Sequence, residues 1–143
     1  MPTSNRAPGE LFSLLHAAGS VESHVDGKLT AIGLSLPKLA ALHQLSVAGE
    51  SLPLGELASR LSCVKSNVTQ LVDRLEADGL VARAPDPNDR RSRLAVLTPA
   101  GRTAFEEGSR IQQQAERDAF SVLTPEESHQ LAALIGKLHH SRK

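Results

Sequence analysis

Between Lys65 and Arg93 the chain spaces polar and basic side chains as the grooves and phosphates of duplex DNA would require. Val68, Leu71, Val72 and Leu75 fall at helical intervals and predict one buried stripe. The opposite face presents Lys65, Ser66, Asn67, Thr69, Gln70, Asp73 and Arg74. Asn67 and Gln70 are side-chain types that pair bidentately with adenine, and Thr69 carries a methyl group that suits thymine. Lys65 and Arg74 suit phosphates, which fix register without reading sequence. An ordinary surface helix shows the same two faces, so this segment alone does not decide.

A second cluster follows at once. Arg90, Arg91 and Arg93 fall within four positions, beside the turn-rich run Pro85-Asp86-Pro87-Asn88-Asp89. An arginine held over a narrow minor groove meets an enhanced negative potential and needs no base code. Asp89, two positions before Arg91, is expected to hold that guanidinium in a charge-assisted pair. A solvated charge cluster on a loop is the plain alternative. Helix and hairpin in this order favour double-stranded DNA as the partner. A winged-helix module that binds other proteins and no DNA is the competing reading, and salt-dependent binding of genomic DNA separates the two.

Such a reading head needs elements to position it. Leu11, Leu14, Leu15, Ala18, Val21, Val25, Leu29 and Ile32 predict a long first helix from Glu10, preceded by a loose arm over residues 1–9. Ser35 with Pro37 starts a second helix, which Leu36, Leu39, Ala40, Leu42 and Leu45 continue to Gly49. Ser51 to Pro53 offers a short strand, and Leu54, Leu57, Ala58 and Leu61 a short third helix. The fourth helix is expected to run from Lys65 to a left-handed cap at Gly79. Leu80–Ala84 and Leu94–Leu97 read as a hairpin around an exposed tip. Thr98-Pro99 and Thr124-Pro125-Glu126-Glu127 are two further helix starts, the second with a capping box. The helix after Thr98 is expected to bury Ala104, Ile111, Ala115 and Val122, and the last one Leu131, Leu134, Ile135 and Leu138. The fold class is mainly α with a small β-hairpin wing: a winged helix-turn-helix with flanking dimerisation helices.

Composition narrows the classes further. The chain has 143 residues, 40% of them hydrophobic, with neither Trp nor Tyr and three Phe, so aliphatic side chains must build its core. Stacking on single-stranded bases needs aromatic platforms that this chain lacks. Lys plus Arg and Asp plus Glu both number 16, so any basic face must be local. The single Cys63 excludes an internal disulfide and suits a reducing compartment. It lies before the fourth helix, where a thiol is open to a redox role, but with no second cysteine to resolve it a small buried hydrophobe is expected. The opening MPTSNRAPGE has no signal-peptide core and no apolar run approaches a membrane span, so the expected location is cytoplasmic, with no membrane partner. Six histidines, among them His16, His24, His43, His139 and His140, show no zinc-ligand spacing. No phosphate loop or Ser-His-Asp arrangement appears, and neither a cofactor, a metal nor an enzymatic activity is expected.

At these residues the chain resembles the MarR family of winged-helix transcription regulators, over Glu10 to Leu138. The specific stretches are Leu71-Val72-Asp73-Arg74-Leu75-Glu76, Gly79-Leu80-Val81, Asp86-Pro87-x-Asp89-Arg90-Arg91 and Leu97-Thr98-x-x-Gly101. The resemblance implies one domain over residues 10–143. Residues 10–33 and 99–143 would supply dimerisation helices, and residues 36–98 the DNA-binding lobe. It implies an obligate homodimer on a pseudo-palindromic operator, with Asp89 and Arg91 as the wing Asp-x-Arg. It also implies a pocket between the dimer helices and the DNA lobe, where a small aromatic effector releases DNA; Phe12, His16 and His43 are the expected lining. The implied function is that of a repressor. The family often has Ser or Thr capping the recognition helix where this chain has Val64, so Ser66 or Ser62 is expected to cap instead.

Overall fold

The computed structural model describes residues 7–61 and 67–140, so the expectations placed on Ser62, Cys63, Lys65 and Ser66 lie outside the described residues. In chain order the elements are α1 (Ala7–Thr30), α2 (Leu36–Val47), β1 (Ser51–Pro53), α3 (Leu54–Arg60), α4 (Val68–Ala77), β2 (Val81–Asp86), β3 (Asp89–Leu97), α5 (Pro99–Phe120) and α6 (Pro125–His140). The sheet is antiparallel in the order β1-β3-β2. This is the winged helix-turn-helix with flanking helices that the hydrophobic spacing predicts. α1 begins at Ala7, three residues ahead of the expected Glu10, and residues 1–6 of the expected arm lie outside the described residues.

Short polar side chains set where the helices start. Ser35 Oγ accepts from the Lys38 amide at 3.3 Å, and Thr98 Oγ1 from the Gly101 amide at 3.0 Å. Thr124 and Glu127 exchange bonds of 2.9 and 3.1 Å in a complete capping box. Asp26, near the end of α1, accepts from the Leu36 amide at 2.7 Å and so ties α1 to the first turn of α2. Each such cap is worth about 1 kcal/mol.

The core joins α1, α2, α3, α4, α5 and all three strands. Leu29, Leu42, Leu45, Leu57, Val72, Leu75 and Val81 are fully buried. Gly79, at φ +77°, ends α4 and lets the Leu80 amide return to the Leu75 carbonyl at 2.9 Å. Gly101 sits where the first turn of α5 crosses that bend, and a methyl group there would collide with the Leu80 carbonyl oxygen and Leu97.

The terminal helices depart from the expected burial. Val122 is 85% exposed, because α5 stops at Phe120 and leaves it in the turn before α6. Of the expected α6 core, Leu131 is half-buried, while Leu134, Ile135 and Leu138 are each about half exposed. Leu11, Phe12, Leu14 and Leu15 are exposed on α1. Only the carboxyl-terminal half of α1, with Val25 and Leu29, enters the core of its own chain.

Candidate nucleic-acid interface

α4 follows the short α3 and exposes a polar face. Leu71, Val72 and Leu75 are buried, while Thr69, Gln70, Asp73, Arg74 and Glu76 are exposed. The helix starts at Val68, and Asn67 is its cap: its Oδ1 accepts from the Gln70 amide at 3.2 Å. This corrects one expectation: the cap is Asn67 rather than Ser66 or Ser62. The same Asn67 oxygen is one that a bidentate pair with adenine would use. Gln70 and Arg74, one turn apart, line a notch of about 250 Å³ with Ser35, Lys38 and Asn67.

The wing is longer than its apolar runs suggested. β3 extends back to Asp89, leaving Pro87 and Asn88 as the turn. Asp89 pairs with Asp86 and Arg93 with Pro85, so Arg90, Arg91 and Ser92 fall between consecutive β2 positions. Such a bulge twists the strand and re-aims its side chains. Arg90, Arg91 and Arg93 are all exposed. Asp89 does not hold the Arg91 guanidinium; its Oδ1 accepts from the Arg91 backbone amide at 2.9 Å. Asp86 does the same for the Asn88 amide, also at 2.9 Å. A side chain as short as Asp reaches the amide two residues on before it reaches a guanidinium. The two aspartates therefore stiffen the tip and leave the arginines outward.

A link between helix and wing was not legible in the sequence. Arg83 on β2 donates from Nη1 to Glu76 Oε1 at 2.6 Å and from Nη2 to Asp73 Oδ1 at 2.8 Å. Its side chain is 19% exposed. The hydrogen bond to Asp73 holds the guanidinium above its ordinary range, against partial burial that works the other way, and Glu76 adds to the rise. At the far end of α4, Lys38 Nζ lies 3.0 Å from Asp78 Oδ2 and donates to the Gly33 carbonyl at 3.3 Å.

This arrangement suits duplex DNA: a helix with a polar face, then a stiff basic hairpin. A family model described as the MarR family matches residues 34–92. The chain is 36% identical over 105 residues to the HTH-type transcriptional regulator YkoM of Bacillus subtilis, covering 73% of this chain and 68% of that protein. The chain belongs to the MarR family of transcription regulators. Its structure is also similar to that of a MarR mutant from E. coli complexed with operator DNA. The TM-score is 0.81 at 25% identity, over 93% of this chain and 96% of the other. A second similar structure is that of BpsR from Bordetella bronchiseptica, whose DNA binding is described as regulated by 6-hydroxynicotinic acid. There the TM-score is 0.79 at 27% identity, over 92% and 91% of the two chains. Membership makes this a DNA-binding transcription regulator and not an enzyme.

Away from the reading head, a cavity of about 990 Å³ opens between α1, α2 and α5. Leu36, Leu39 and Ala40 form an apolar wall, and the His43 and Phe105 rings stand 5.8 Å apart, tilted by 36°. Glu22, Glu106, Arg110 and Glu116 supply charge around it. Of the three expected lining residues only His43 takes part. Phe12 and His16 lie on the exposed amino-terminal half of α1, and α1 contributes Glu22 instead. Phe105 had a faint signal in the sequence, as one of three aromatic rings in a chain without Trp or Tyr. Among the described residues no group of three or more His, Cys, Asp or Glu gathers as a metal cluster, and no helix is long and apolar enough to cross a membrane.

Proposed function

We propose that the protein is a cytoplasmic homodimeric repressor that binds a pseudo-palindromic operator and leaves it when a small aromatic molecule occupies the cavity. The observation that carries this is the segregation of exposed side chains. Basic and polar groups gather on α4 and the wing, whereas large apolar ones gather on α1 and α6. Residues 10–33 and 99–143 form the subunit contact, and residues 36–98 meet DNA. Asn67, Thr69 and Gln70 read base edges in the major groove. Lys65 and Arg74 meet phosphates, Ser66 lies in the same DNA-binding stretch of sequence, and Arg90, Arg91 and Arg93 enter the minor groove with the wing. Two copies of α4 related by a twofold axis reach half-sites one turn, about 10 bp, apart. Relatives named as repressors support the sign of regulation.

The apolar wall and ring pair of the cavity suit a flat aromatic molecule, and BpsR offers a precedent for a hydroxylated aromatic acid. An effector releases DNA only if it prefers a dimer whose two reading heads are wrongly spaced. The test is fluorescence anisotropy on genomic fragments recovered with the protein, titrated with salt and with a set of hydroxylated aromatic acids. We expect two chains per site and affinity that falls steeply with salt. At least one acid should release the DNA and raise the melting temperature. A single chain per site, or salt-insensitive binding, would sink the reading.

A further inference from the structure

The exposed face of α4 carries a charge that works against DNA. Thr69, Asp73 and Glu76 follow at intervals of four and three, so they share one stripe of the helix. Two carboxylates on that stripe would oppose the phosphates that flank a groove. In the fold both are taken by one group from the wing. Arg83 reaches across from β2, with one outer nitrogen on Glu76 at 2.6 Å and the other on Asp73 at 2.8 Å.

We infer that Arg83 is a positioning residue for DNA reading: its guanidinium clamps the recognition helix to the wing and cancels negative charge on the helix stripe beside Thr69. This rests on the reading that α4 and the wing meet the same duplex. The clamp acts first through geometry. Asp73 and Glu76 are nearly one turn apart, and a planar fork that serves both restrains how α4 can roll against β2. The covalent link over the same gap is only Asp78, Gly79 and Leu80, which fixes the end of α4 but not its rotation. The second action is electrostatic. Asp73, Glu76 and Arg83 sum to one negative charge, and without the arginine the two carboxylates leave two. Arg83 is 19% exposed and committed to both carboxylates, so it acts through them rather than as a further phosphate contact.

The test uses full-length protein and two probes: a duplex selected from a randomised pool by the wild type, and an unselected duplex of equal length. Anisotropy is measured between ~50 and ~200 mM salt, the range over which phosphate contacts show most. Arg83→Met should weaken the selected duplex by about tenfold or more with the log–log salt slope little changed, because no phosphate contact is removed. It should also lower the ratio of selected to unselected affinity. Arg83→Lys keeps the charge but lacks the fork, so the slope should hold while the ratio falls. The double variant Asp73→Asn with Glu76→Gln removes the clamp and two negative charges. It should bind the unselected duplex more tightly than wild type and still lose selectivity. Both of these variants keep a helix-compatible surface, so they decide the matter even if Arg83→Met melts early. A merely structural ion pair would shift melting temperature and leave selectivity alone. Wild-type selectivity in Arg83→Lys and in the double variant overturns the inference. Failure of the wild type itself to bind either probe overturns instead the reading of α4 and the wing on which it rests.

Discussion

The dimer is the assumption most exposed to a single substitution, Leu134→Glu. Leu11, Phe12, Leu14, Leu15, Leu134 and Ile135 are each between 47% and 64% exposed within one chain. Full burial of such a side chain stabilises by about 1.5–3 kcal/mol, so the half still outside is worth about 1 kcal/mol. A twofold interface counts each position twice, which gives about 12 kcal/mol for these six. Association costs about 4–15 kcal/mol, so the surplus is small and one position matters. Leu134→Glu removes about 2 kcal/mol of burial across the dimer and places two carboxylates in an apolar seam. A total near 4–6 kcal/mol raises the dimer dissociation constant by about a thousandfold or more. Sedimentation velocity from nanomolar to micromolar protein should show a dimer for the wild type and a monomer for the variant. Circular dichroism should match between the two, because Leu134 contributes little to its own chain's core. A variant that still sediments as a dimer at nanomolar concentration, with undiminished operator affinity, would remove α6 from the interface.

Four further outcomes are expected. Arg91→Ala should weaken all duplexes alike, more at low salt than at high, and reduce the salt slope by about one; an unchanged slope would take Arg91 off the DNA. Gln70→Ala should relax preference at one base position at a cost of about 1–3 kcal/mol, read from a selection repeated with the variant. Gly101→Ala should lower unfolding free energy in urea by at least about 2 kcal/mol, because the added methyl meets the Leu80 backbone. Lys38→Met, which removes the tie to Asp78 in both subunits, should itself weaken operator binding by about threefold to tenfold and leave less for an active aromatic acid to release; wild-type affinity with full release would refute a role for that tie in regulation.

Hydrophobic spacing and capping residues place most elements from the sequence alone. Ser35, Thr98 and Thr124 announce α2, α5 and α6, and Gly79 announces the end of α4. Those signals are local, because a cap is decided by amides three residues away. What the sequence could not show depends on contacts between elements. Arg83 lies seven and ten positions after its partners, and only the bend at Gly79 makes them neighbours. Asn67 was legible as a polar residue ahead of an apolar run, yet cap and groove contact leave the same trace in composition. Asp89 shows a similar ambiguity, since an acidic residue near an arginine can serve its side chain or its amide. The apolar stripes on α1 and α6 were legible as stripes. That Leu11, Phe12, Leu14, Leu15, Leu134 and Ile135 stay about half exposed among the described residues needed the packing of α1 on α5 and the sparse contact of α6 with its own chain.

Two polar ties restrain α4, and they set the scale on which regulation has to act. Arg83 holds the wing side through Asp73 and Glu76, and Lys38 holds the carboxyl end through Asp78. Lys38 belongs to the first turn of α2, between Leu36 and Leu39, which form part of the cavity wall. Asp26 fastens that same turn to α1. Any molecule that spreads α1, α2 and α5 therefore acts on the turn that carries the α4 tie. The energies are commensurate. A tenfold loss of operator affinity is a difference of about 1.4 kcal/mol between two dimer states. A half-exposed ion pair such as Lys38 with Asp78 contributes at most about 1 kcal/mol, and there is one in each subunit. Breaking both would supply a large part of a tenfold release, without unfolding any element and without touching the buried leucines that hold the lobe together.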